Sequence, residues 1–112
     1  MDADISAQLH DLHARVCKAI ADPKRLLIIN ELRDKELSVS DLCEALSLSQ
    51  SNASQHLAVL RERGVVTTRR HGTTIYYTLR SQKVVQAVDL LREFMAESLT
   101  EQGRLGDAIP VP

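Results

Sequence analysis

The stretch Ser38-Val39-Ser40-Asp41-Leu42-Cys43-Glu44-Ala45-Leu46-Ser47-Leu48-Ser49-Gln50-Ser51-Asn52-Ala53-Ser54-Gln55-His56-Leu57-Ala58-Val59-Leu60-Arg61-Glu62-Arg63-Gly64 decides the fold. Ser38, with Asp41 three residues on, has the pattern of a helix N-cap and opens a short helix ending at Leu46. Ser47 to Gln50 turn the chain, and Ser49 is placed to cap a second helix. That helix runs to about Arg63, where Gly64 supplies the stop. On a wheel, Ala53, Leu57 and Leu60 share a sector of roughly 60°, while Ser51, Ser54, Gln55, Ala58 and Glu62 face the other way. Two helices joined by so tight a turn, over residues 39–63, make a helix-turn-helix.

After Gly64 the periodicity changes from helical to alternating. Val65-Val66-Thr67-Thr68-Arg69-Arg70 and Thr74-Ile75-Tyr76-Tyr77-Thr78-Leu79 are rich in β-branched and aromatic residues, and His71-Gly72-Thr73 joins them as a hairpin tip. The hairpin over 65–79 is a wing beside the helix-turn-helix. Tyr76 and Tyr77 alternate faces, so one packs inward and the other reaches the surface.

Working outward towards the N-terminus, Ile5, Leu9, Leu12, Val16 and Ile20 recur at helical spacing and predict an amphipathic helix over 4–20. Asp22 and Pro23 then cap and open a second helix containing Leu26, Leu27, Ile28, Ile29 and Leu32. Arg33-Asp34-Lys35-Glu36 form a charged turn before Ser38. In the other direction, a long helix covers 82–100. On it Val84, Ala87, Val88, Leu91, Phe94 and Met95 span a sector of roughly 120°, with Val85 and Leu90 outside it. The tail, 103–112, is expected to be poorly ordered unless something docks it. The whole, 1–112, reads as one mainly α domain with a β-hairpin wing. Its first and last helices carry more apolar surface than so small a domain covers alone, which predicts a two-fold dimer built from them. Such a dimer sets two recognition helices one DNA turn apart, about 34 Å.

The net charge of -1 conceals a strong asymmetry. Residues 1–49 sum to -3, residues 50–83 to +5 and residues 84–112 to -3. The cationic third contains Arg61, Arg63, Arg69, Arg70, Arg80 and Lys83 against Glu62 alone. A basic face on an acidic body is a footprint for phosphate. The outward face of the second helix-turn-helix helix carries Gln50, Ser51, Ser54 and Gln55. Those side chains offer donors and acceptors close to the backbone, as base edges require, and glutamine can bridge adenine bidentately. Arg61 adds charge beside that face, and Arg69, Arg70 and His71 at the hairpin tip either span the phosphate backbone or enter a minor groove, unless one of the arginines pairs with a carboxylate elsewhere.

Composition narrows the remaining classes. With 44% hydrophobic and 26% charged residues and only 3 Pro and 4 Gly, the chain is expected to be globular. No apolar run approaches a membrane span of roughly 20 residues. The acidic start lacks an apolar signal core, and Cys17 and Cys43 read as thiols of a reducing cytosol, so a cytoplasmic protein is expected. No nucleophile stands in a base-and-orienter motif, so no enzyme and no cofactor are expected.

The motifs Ala19-Ile20-Ala21-Asp22-Pro23-Lys24-Arg25-Leu26, Glu36-Leu37-Ser38-Val39-Ser40-Asp41-Leu42, Leu48 to Arg61 and the hairpin Arg69 to Tyr77 occur in order, and over about residues 12–95 the chain resembles the ArsR/SmtB repressors. The resemblance implies a homodimer that binds an inverted-repeat operator in double-stranded DNA and releases it when an inducer binds. It also places Gln50, Ser51, Ser54 and Gln55 on DNA, and His56 in a packing or backbone-bonding role.

The family's known inducer sites do not carry over. Ser38 and Ser40 stand where its thiolate site has cysteines, leaving Cys43 alone, and hydroxyls do not replace thiolates for soft metals. No histidine follows His71, and the paired cysteines of the polysulfide-responsive members are missing. Two constellations remain. Cys17 and Cys43 form a redox switch if the fold brings them together, with Cys17 the more reactive through His13 and Lys18, or else they are core filler. His10, His13 and Cys17 lie within roughly 60° of one another on the first helix, a three-ligand metal edge or simply a flank of its apolar stripe. A constitutive repressor without metal or redox input is the third alternative.

Overall fold

The computed structural model describes residues 3–101. The expectation for the tail, 103–112, lies outside those residues. The chain divides into two compact units, one reaching Ser81 and one beginning at Gln82.

The first unit opens with α1 (Ala3–Ile20) and α2 (Pro23–Glu31). The Asp22 carboxylate accepts the backbone N–H groups of Lys24 and Arg25 at 2.8 and 3.1 Å, so α2 begins where a proline needs no partner for its missing N–H. A short strand, β1 (Leu37–Ser38), leads into α3 (Val39–Leu46). Ser38 and Asp41 make a reciprocal capping box: the Asp41 N–H donates to Ser38 Oγ at 3.1 Å and the Ser38 N–H to Asp41 Oδ2 at 3.0 Å. Ser47 ends α3 in a left-handed conformation, φ 55°. Ser49 then caps α4 (Gln50–Glu62) by accepting from the Asn52 N–H at 3.1 Å. Gly64 closes α4 at φ +80°. The Gly64 N–H donates to the Arg61 carbonyl and the Val65 N–H to the Leu60 carbonyl, a pair of bonds that requires positive φ at this position.

Strands β2 (Val66–His71) and β3 (Thr74–Leu79) form the wing, and the sheet order is β1-β3-β2, antiparallel throughout. Two details differ from the expectation. His71 pairs with Thr74, so the tip is the two residues Gly72-Thr73, and Gly72 supplies the positive φ such a tight loop needs. The second difference is β1, where Leu37 and Ser38 pair with Tyr77 and Tyr76.

The core sits where α2, α3 and α4 meet the base of the wing. Ile28, Ile29 and Leu32, Leu42, the α4 residues Ala53, Leu57 and Leu60, and Val65, Val66 and Leu79 are all buried. Burial of each large aliphatic side chain contributes about 1.5–3 kcal/mol. Because α4 commits Ala53, Leu57 and Leu60 to this core, its opposite face is left to solvent. On α1 only Ala19 is buried, and Ile5, Leu9 and Leu12 are about half exposed.

The second unit contains α5 (Gln82–Glu101). It buries Val85 and Val88 while Leu90, Leu91, Phe94 and Met95 stay exposed, Leu90 at 65% and Phe94 at 61%. The buried line therefore includes Val85, expected outside the apolar sector, and the sector divides into a covered edge and an open face. No described helix is long and apolar enough to cross a membrane.

Candidate nucleic-acid interface

The outward face of α4 presents the expected residues to solvent. Gln50, Ser51, Ser54, Gln55, Ala58 and Arg61 are all exposed. Their orientation follows from the buried Ala53-Leu57-Leu60 line, since a helix that buries one stripe must turn the opposite one outward. Ser and Ala at the first turns keep this face shallow enough for the backbone to approach a ligand closely. In B-form DNA the major groove admits such a helix.

The wing carries Arg69, Arg70 and His71, all exposed. They are not equivalent. The Arg69 guanidinium makes a two-pronged ion pair with Glu36: Nε donates to Oε2 at 3.1 Å and Nη2 donates to Oε1. Its Cζ also lies 5.1 Å from the centre of the Tyr76 ring. Hydrogen bonding to Arg69, reinforced by its charge, holds the Glu36 carboxyl below its ordinary range, and Glu36 raises Arg69 in return. Arg70 makes no ion pair among the described residues. Tyr76 and Tyr77 are both half-buried, rather than one inward and one outward. A cleft of about 490 Å³ lies between the start of α3 and β3, lined in part by Ser38, Ser40, Asp41, Thr74 and Tyr76.

Behind α4 lies a contact with no sequence signal. The Arg25 side chain donates from Nε to the Ala19 carbonyl at 2.5 Å and from Nη2 to the Lys18 carbonyl at 3.3 Å, and Nη1 lies 3.4 Å from His56 Nδ1. One guanidinium thus covers the open C-terminal end of α1 and touches the inner flank of α4. The sequence marked His56 for packing or backbone bonding, and here its ring meets a side chain. Backbone N–H bonds from Arg25 and Lys24, with the charges of Arg25 and His56, hold the Asp22 carboxyl below its ordinary range against the opposing effect of burial.

The two cysteines are free thiols, Cys17 exposed and Cys43 half-buried. Among the described residues no three His, Cys, Asp or Glu side chains gather into a group able to hold a metal ion, so His10, His13 and Cys17 do not converge within one chain.

A family model described as bacterial regulatory protein, arsR family, matches residues 22–68, from the α2 cap into the wing. The transcriptional activator HlyU of Vibrio cholerae is 46% identical over 81 residues, covering 72% of this chain and 75% of that protein. The chain belongs to the ArsR family of bacterial regulatory proteins. The fold agrees. The homodimeric winged helix-turn-helix DNA-binding domain Mb0332 of Mycobacterium bovis superposes with a TM-score of 0.79 at 33% identity, covering 89% of this chain and 93% of that one. The transcriptional repressor BigR of Xylella fastidiosa gives 0.69 at 33% identity, covering 84% and 96%. This ArsR-family chain is a winged helix-turn-helix transcriptional regulator, and its α4 is the second helix of that motif.

Proposed function

We propose that the protein is a cytoplasmic homodimeric repressor that reads a two-fold symmetric operator in double-stranded DNA and releases it on an input signal. The exposed polar face of α4 beside a cationic wing carries this reading. Gln50, Ser51, Ser54 and Gln55 face base edges in the major groove, while Arg61, Arg70 and His71 face phosphates. The dimer is supported by the exposed Ile5, Leu9 and Leu12 on α1 and Leu91, Phe94 and Met95 on α5, apolar faces that a second copy would cover. Mb0332 is described as homodimeric and BigR as a repressor, whereas HlyU is described as an activator. Repression is the simpler mechanism because occupancy of the operator suffices for it.

Any thiol-linked release is assigned to Cys17, the exposed sulfur. Sedimentation of the chain with duplex DNA tests the reading: two chains per duplex support it. A stable monomer at micromolar concentration, or no association with DNA at any salt, would contradict it.

A further inference from the structure

We propose that Glu36 withholds Arg69 from DNA, so that the wing meets phosphate through Arg70 while Arg69 serves as a strut that positions the wing. The inference rests on the DNA-binding reading above and concerns which of its cations does the work.

The register sets up the contact. Arg69 on β2 stands opposite Tyr76 on β3, and Tyr76 stands opposite Ser38 on β1. Glu36 lies two residues before Ser38, the spacing that returns to the same face of a strand. The Arg69 side chain therefore runs across the Tyr76 ring to the carboxylate on the far edge of the sheet. It ties the wing to the segment that leads into α3. The base of the wing is already anchored by buried Val66 and Leu79 and by the packing of α4 on β2 and α3 on β3, so the tie adds a restraint farther out along the hairpin.

Charge accounting favours the pair over an exchange. To reach a phosphate, Arg69 would give up two charge-assisted hydrogen bonds and its ring contact, and would leave the Glu36 carboxylate without its partner. The phosphate offers Arg69 bonds of the same kind, so the swap gains little. Arg70, one residue on and directed to the other face of the hairpin, has no such tie among the described residues. The basic third of the sequence thus overstates the wing by one cation for each protomer.

The test is the salt dependence of binding to a mixed-sequence duplex of about 30 base pairs, long enough for two half-sites a helical turn apart. Each phosphate contact contributes about 0.9 to the slope of log K against log salt. Glu36→Gln frees Arg69 and should steepen the slope by about 0.9 per wing. Glu36→Gln/Arg69→Gln should return it to the wild-type value, and Arg70→Gln should flatten it by about 0.9 per wing. An unchanged slope in Glu36→Gln, or a double variant as flat as Arg70→Gln, would overturn the proposal. In the free protein, the Arg69 Nε–H resonance should move in Glu36→Gln, and a resonance that stays put would also overturn it. That measurement needs no DNA, so it separates failure of the pair from failure of the DNA-binding reading, which would appear as wild-type protein that binds no duplex.

Discussion

Replacement of Arg25 by alanine removes a side chain that ties the end of α1 to the start of α2 and touches α4. The variant loses donation from Nε to the Ala19 carbonyl and from Nη2 to the Lys18 carbonyl, together with the His56 contact at 3.4 Å. Hydrogen bonds from a charged donor contribute about 1.5–3 kcal/mol each, which sets an upper range of about 3–6 kcal/mol for the two carbonyl bonds. Arg25 is only half-buried, and water can take over the freed carbonyls at the open end of α1, so the net loss should be about 2 kcal/mol. Arg25→Lys keeps a cation at the negative end of the α1 dipole, worth about 0.3–1 kcal/mol, but an ammonium cannot reproduce the planar fork. It should therefore fall between wild type and alanine. Urea unfolding at one fixed chain concentration is the assay, because association makes the midpoint concentration-dependent. The slope against urea should hold while the midpoint falls. A loss below about 0.5 kcal/mol in Arg25→Ala, the range of an ordinary surface substitution, would refute the role assigned to this side chain.

Two further outcomes follow from the caps and the open helix faces. The Asp22 carboxyl is held below its ordinary value of 3.8, so its stabilisation is present above that pH and is lost as pH falls through the lower folded value. Asp22→Asn keeps an N-cap without the titration, and its stability should decline less steeply than wild type below about pH 4, with parallel acid-unfolding curves counting against the assignment. Phe94→Glu places a charge on the exposed apolar face of α5 and should weaken self-association by about 2–4 kcal/mol per protomer, read by sedimentation equilibrium. An unchanged dimer would move the interface elsewhere.

What the sequence showed and what it concealed divide by range along the chain. The caps at Asp22, Ser38 with Asp41, and Ser49 were legible because each acts within three residues, and Gly64 was legible because its positive φ is a local demand. The outward face of α4 could be read because it is the complement of an apolar stripe. Strand β1 could not, since two residues carry no period and Leu37 and Ser38 pair with Tyr77 and Tyr76, far along the chain. The Glu36–Arg69 pair joins residues 33 apart, and the Arg25–His56 contact residues 31 apart. Only the fold brings them together, so Arg69 and Arg70 looked alike. On α5, periodicity marks an apolar arc but not which edge is covered, so Val85 is buried although it lies outside that arc.

The central claim is that the outward face of α4 reads bases, and it is tested most directly by selection from a random duplex library with wild-type protein and with Gln55→Ala. Gln55 is exposed and contributes nothing to the core, so the variant should fold as wild type does. Wild-type protein should enrich a two-fold symmetric motif whose half-sites lie about 10–10.5 base pairs apart. Gln55→Ala should lose preference at one position of each half-site, by about 1–3 kcal/mol, while its affinity for unselected DNA holds. Enrichment of no motif by the wild type, or of the same motif to the same degree by both proteins, would contradict the account.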